Sequence, residues 1–137
     1  MEPVVRLPDS DRTIPWDIEK KLWFVTVKEQ CFAVSTVDNG SALAVLPFLE
    51  IPVREIEEAV SLVLSRDPTI KFPFELRIKA GFMHGSPHWT DCSLTWLAKL
   101  DTLETSFNDD LERVVAKTKR YSQKSRQLAR RLIKQGR

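Results

Sequence analysis

The two histidines of the chain fall in one short run, His84-Gly-Ser-Pro-His88-Trp-Thr-Asp91-Cys92, where imidazole and thiol side chains cluster. Zinc takes three or four such donors in a tetrahedral arrangement, and a proline-containing loop can bring His84, His88 and Cys92 together. Their spacing matches no established zinc pattern, so the run reads as a solvent-facing loop with no metal. The same residues suggest a nucleophile pair in which an imidazole activates Cys92. No orienting third group or oxyanion donor accompanies them, and Cys92 opens an apolar stretch. The acidic pairs Glu57-Glu58 and Asp109-Asp110 are of the type used in acid–base catalysis. Adjacent residues on a helix point in different directions, however, and both pairs lie where a first turn favours negative charge. The chain has four glycines, none in a phosphate-cradling arrangement. The expectation is a protein that is not an enzyme and carries no cofactor.

The stronger chemical signal is basic. Residues 114–137 carry nine Lys and Arg and no acid, which leaves 12 basic against 19 acidic residues, or −7, in the remainder of a chain whose net charge is +2. Lys117, Lys119, Arg120, Lys124, Arg126, Arg130, Arg131 and Lys134 form the candidate set for binding a polyanion or a partner. Cations along one side of a helix neutralise successive phosphates and release counterions, giving salt-sensitive affinity with little sequence preference. Arg126, Arg130 and Arg131 would grip phosphate in bidentate fashion. The competing expectation is an arm that lies against the acidic body of its own fold or of a twin.

These residues need elements to position them. Ser106 to Asp109 has the spacing of a capping box, and Asp109, Asp110 and Glu112 load a first turn. From there Leu111, Val114, Thr118, Tyr121, Ser125, Leu128 and Leu132 recur at alternating spacings of three and four, which predicts one long amphipathic helix over residues 107–135. Upstream, residues 22–27 and 31–37 are β-branched and aromatic and read as a hairpin. Asp38-Asn39-Gly40-Ser41 then supplies a type I′ turn into a third strand over residues 42–49. Pro52 and the spacing of Val53, Ile56, Val60, Val63 and Leu64 predict a helix over residues 52–65. Ile70, Phe72, Phe74, Leu76 and Ile78 alternate with polar residues as a half-wet strand, and Pro73 places it at a sheet edge. Residues 81–91 read as a loop, and Leu94, Trp96, Ala98 and Leu100 as a fifth strand.

The expected fold is therefore α+β, an antiparallel sheet in the order β-β-β-α-β-β-α with a long basic C-terminal helix. Residues 1–13 are a mobile leader and residues 14–137 a single domain. A chain of 137 residues with 42% hydrophobic and 29% charged residues is large and apolar enough to bury a core, which excludes intrinsic disorder. Two cysteines are too few for a disulfide framework, and Cys31 and Cys92 are expected as buried free thiols. No stretch is long and apolar enough for a membrane span, and the default is a cytoplasmic protein with no membrane partner.

That element order resembles the small dimeric chaperones of type III secretion, whose α+β fold places a three-stranded meander, a helix, a two-stranded pair and a long helix in succession. The resemblance covers roughly residues 16–135, rests on no residue motif, and transfers no functional residue. It implies a non-catalytic adaptor, chaperone or regulatory protein that binds another protein and dimerises through sheet or long-helix surfaces. The alternative is a nucleic-acid-binding protein whose basic arm contacts phosphates. A metal or Cys–His site at His84, His88 and Cys92 is the third reading.

Overall fold

Alternating strand residues with short polar connections build an antiparallel meander of four strands, β1 Pro3–Arg6, β2 Thr13–Asp17, β3 Leu22–Val27 and β4 Gln30–Ala33, in the order β1-β2-β3-β4. The structure is a computed structural model and describes residues 2–34, 44–100, 103 and 105–137. The expected hairpin is present, with Val25 opposite Phe32 and Val27 opposite Gln30. Its period of two sends Trp23 and Val25 into the core and leaves Leu22, Phe24 and Thr26 partly exposed on the other face. Residues read as a leader instead contribute β1, because Val5 buries its side chain opposite Ile14. The Asn39-Gly40 turn lies outside the described residues.

Over its described residues, the third strand expected at 42–49 is helical instead: Ala44 and Val45 are helical and Leu46–Glu50 is a 3-10 turn. Pro47 has no N–H to give a ladder and fits the opening of a helical turn, while Leu46, Phe48 and Leu49 bury on several sides of it. Helix α1, Val53–Leu64, forms as read, with Pro52 at its cap and Val53, Ile56 and Val60 buried. It packs against β1.

The two later strands are helices. Helix α2 is Phe74–His84, preceded by the buried residues Ile70 and Phe72. The alternation contained a hidden spacing of four, Phe74, Ile78 and Phe82, and Pro73 caps the helix that uses it. Arg77, read as facing water, is fully buried. Helix α3 is Pro87–Lys99, where a loop and a strand were expected. Its inner face is Thr90, Ser93, Leu94 and Leu97, a helical set disguised by two small polar residues. The Ser86-Pro87 pair is a start signal that periodicity alone overlooks: the Ser86 hydroxyl accepts from the Trp89 N–H at 3.3 Å and Pro87 opens the helix. Gly81 lets α2 and α3 approach, since a Cβ there would sit 1.9 Å from Ser93 Oγ.

The long C-terminal helix is broken into a hairpin of α4, Asn108–Ala116, and α5, Gln123–Lys134. The break falls in the weak middle of the stripe, around Thr118, where Ser122 caps α5 by accepting from the Ser125 N–H at 3.1 Å. Folding back lets each helix bury the other's stripe, Leu111 and Val114 from α4 with Ala129 and Leu132 from α5. The Phe107 N–H donates to the Arg137 carbonyl at 2.8 Å and ties the hairpin's open end.

The class is α+β with an antiparallel sheet, but the described order is four strands, the 3-10 turn and then five helices. The order that carried the chaperone resemblance is not the one observed. A run of rings joins the two halves of the core: Trp16 to Trp23 at 5.0 Å, Trp23 to Phe72 at 5.0 Å, Phe72 to Phe74 at 4.9 Å and Phe74 to Trp96 at 5.8 Å. Such tilted and edge contacts add to simple burial. Trp96 also donates its indole N–H to the Ile51 carbonyl at 3.0 Å, pinning α3 to the chain before α1.

Candidate functional site

Helix α5 has a buried side of Ser125, Ala129 and Leu132 and an exposed side bearing Lys124, Arg130, Arg131 and Lys134. Its 12 residues set these cations along roughly 18 Å of helix. Lys117, Lys119 and Arg120 stand exposed in the turn that leads into it. Two members of the expected set are engaged by backbone: Arg120 Nε donates to the Gly85 carbonyl at 2.7 Å, and half-buried Arg126 Nε donates to the Tyr121 carbonyl at 3.3 Å. Tyr121, a member of the apolar stripe, is buried with its hydroxyl donating to the same Gly85 carbonyl at 2.9 Å.

Among the described residues, none of the eight cations lies within ion-pair distance of a carboxylate. The acidic groups nearby have other tasks. Asp110 is buried and receives Lys79 Nζ at 2.8 Å together with Arg113. Asp91 accepts from the Ser125 hydroxyl. Glu112 lines a shallow groove with Val115, Ile133, Arg130 and Lys134. The first turn of α5 contains no acid, so Lys124 sits at the positive end of its own helix dipole. That placement is unfavourable within the chain and favours an external anion.

The histidine–cysteine cluster is only partly assembled. Turn by turn, α3 puts His88 and Cys92 on one face, and Glu50 joins them from the 3-10 turn. His88 Nε2 lies 2.9 Å from Glu50 Oε1 and 4.0 Å from Cys92 Sγ. One ring nitrogen meets both groups, so the carboxylate does not orient the imidazole to take the thiol proton through its other nitrogen. Burial, and secondarily Glu50 and Asp91, raise the Cys92 pKa and favour the thiol over the nucleophilic thiolate. His84 ends α2 on the far side of the Gly85-Ser86 turn. Among the described residues, no group of three or more His, Cys, Asp or Glu could hold a metal ion. Both thiols are free, but Cys31 is exposed and Cys92 half-buried, because the edge strand β4 turns Cys31 away from the core. Of the acidic pairs, exposed Glu58 holds Arg54 at 3.3 Å and Asp110 is structural.

No described helix is long and apolar enough to cross a membrane. Compared with known proteins, the chain matches no family model, no curated protein and no solved structure, so the basic face of the helical hairpin must be read on its own chemistry.

Proposed function

We propose that this protein binds nucleic acid through the phosphate backbone, using the exposed face of α5 and the turn before it. The observation that carries the reading is a set of exposed cations on α5 and the turn before it, Lys117, Lys119, Lys124, Arg130, Arg131 and Lys134, with no carboxylate partner among the described residues. Unpaired surface cations keep their charge for an outside partner, whereas an arm folded onto an acidic body would spend it internally. Backbone contacts of this kind give affinity with little sequence preference and a steep dependence on salt.

The test is fluorescence anisotropy of labelled duplex and single-stranded oligonucleotides over a salt series. Charge reversal at Lys124, Arg130, Arg131 and Lys134 should abolish binding at moderate salt while leaving the circular dichroism unchanged. Reversal of a single cation should lower the slope of log affinity against log salt by about 1. Unaltered binding by the fourfold variant would sink the proposal.

A protein-binding adaptor is the second reading, supported by the sheet. Its outer face leaves Leu22 and Cys31 exposed and Phe24 and Ala33 half-buried, next to exposed Ile18. A homodimer through that face should appear in light scattering at micromolar concentration, and Phe24→Lys should dissociate it.

A further inference from the structure

Between the β2–β3 hairpin and the chain entering α2 lies a cleft of about 330 Å³, a size suited to one small molecule. Its walls include Trp16, Trp23, Leu22, Ile70 and Leu76, so most of a flat apolar body would find a matching surface. Lys21 and Lys71 also line it, with Asp67 as the acidic group. Asp67 accepts from both the hydroxyl and the backbone N–H of Thr69 at 2.6 and 3.1 Å, and these bonds, with the charge of Lys21 secondarily, lower its pKa, so its carboxylate offsets Lys21. Pro73, another lining residue, caps α2 without any side-chain cap bond, which leaves the positive end of an 11-residue helix at the cleft. Glu75 in the first turn offsets part of that charge and also holds Thr105.

Behind this wall sits an unbalanced charge. The Arg77 guanidinium is fully buried, with Cζ 4.2 Å from the centre of the Phe72 ring. Nη1 donates to the carbonyl of the lining residue Pro73 at 3.1 Å, whereas Nε and Nη2 have no hydrogen-bond partner among the described residues. Burial lowers its pKa to about 9, which leaves it charged at neutral pH. Among the described residues no carboxylate pairs with it, and a buried cation so placed acts through a low-dielectric interior and favours an anion nearby more than a surface lysine does.

We infer that this cleft binds a small aromatic anion, its ring against Trp16 and Trp23 and its acidic group in the field of Lys21, Arg77 and the α2 N-terminus. Aromatic walls select the flat body, and the buried charge of Arg77, left over once Asp67 offsets Lys21, selects the acid. The site is separate from the basic face of α5, and nucleic-acid binding does not depend on it.

The test is titration of the full chain with 1-naphthoate and with its neutral amide, 1-naphthamide, followed by the indole N–H signals of the four tryptophans in proton–nitrogen correlation spectra. Naphthoate should shift the Trp16 and Trp23 signals saturably, and the amide should bind at least tenfold more weakly. Lys21→Glu, in an exposed turn, should weaken naphthoate binding tenfold with the fold intact. Arg77→Met should weaken it as well while raising the melting temperature, a combination that a packing defect would not produce. No saturable shift at millimolar naphthoate, equal affinity for acid and amide, or shifts confined to Trp89 and Trp96 would each overturn the assignment.

Discussion

Arg77 is the residue whose placement departs furthest from its chemistry. Its charge is buried, its Nε and Nη2 have no hydrogen-bond partner among the described residues, and there its guanidinium is held by the Pro73 carbonyl and the face of Phe72. Replacing a buried ionic group by an apolar one of similar length is often stabilising, so Arg77→Met should raise stability by about 1 kcal/mol or more at pH 7. The pH dependence has a definite sign. Below about pH 9 the guanidinium is charged in both folded and unfolded chains, and the full burial penalty applies. Above that pH the folded protein releases a proton that the unfolded chain still holds, so this group's contribution to stability rises with pH. The gain from Arg77→Met, measured as a difference in denaturation midpoint, should therefore shrink between pH 7 and alkaline pH. A gain that grows over that range would contradict the burial of the charge. Sequence reading put Arg77 on a wet face because the alternating pattern around it fits a strand as well as a helix.

At the scale of elements, two contacts decide the helical half. Gly81 is where α2 crosses α3, and a Cβ there would come within 2.9 Å of both Leu49 Cδ1 and the Trp89 carbonyl, as well as striking Ser93 Oγ. Ser93 cannot easily yield, since its hydroxyl donates to the Ile78 carbonyl at 2.8 Å. Gly81→Ala should destabilise by about 3 kcal/mol, at the upper end of overpacking costs, and thermal denaturation would show it directly. Ser122 caps α5, and Ser122→Ala should cost about 1 kcal/mol and fray the first turn, read by hydrogen exchange at Ser125 and Arg126. The hairpin β3–β4 and helix α1 were legible because their patterns have one reading each. The segments that became α2 and α3 were not: apolar residues spaced by two include residues spaced by four, and small polar residues on the buried face of α3 hid its period. The continuous stripe through residues 107–135 was misleading for a related reason, since alternating spacings of three and four describe two successive helices as well as one.

Over the whole molecule, the hairpin changes how the basic segment must be tested. A chain ending at Ala116 would lose Ala129 and Leu132 from the core and expose Leu111 and Val114, so truncation should unfold α4 along with removing the charges. Such a truncated chain should lose helical circular dichroism beyond the share of α5, whereas the fourfold charge reversal should leave it unchanged. The basic composition of the last segment, its amphipathic separation and the absence of a phosphate loop are properties of the chain itself, because charge and spacing do not depend on what packs where. The α+β class and the first hairpin were likewise present in the pattern of side chains. Tertiary structure alone decided that the C-terminal stripe folds back on itself, that its cations meet no described carboxylate, and that Glu50 rather than His84 approaches His88. It also decided that Trp16, Trp23, Lys21 and Leu76 share one cleft with Arg77 behind it. Each of these is a contact between residues distant in the chain, set by which apolar surfaces bury each other, and local periodicity carries no information about that choice.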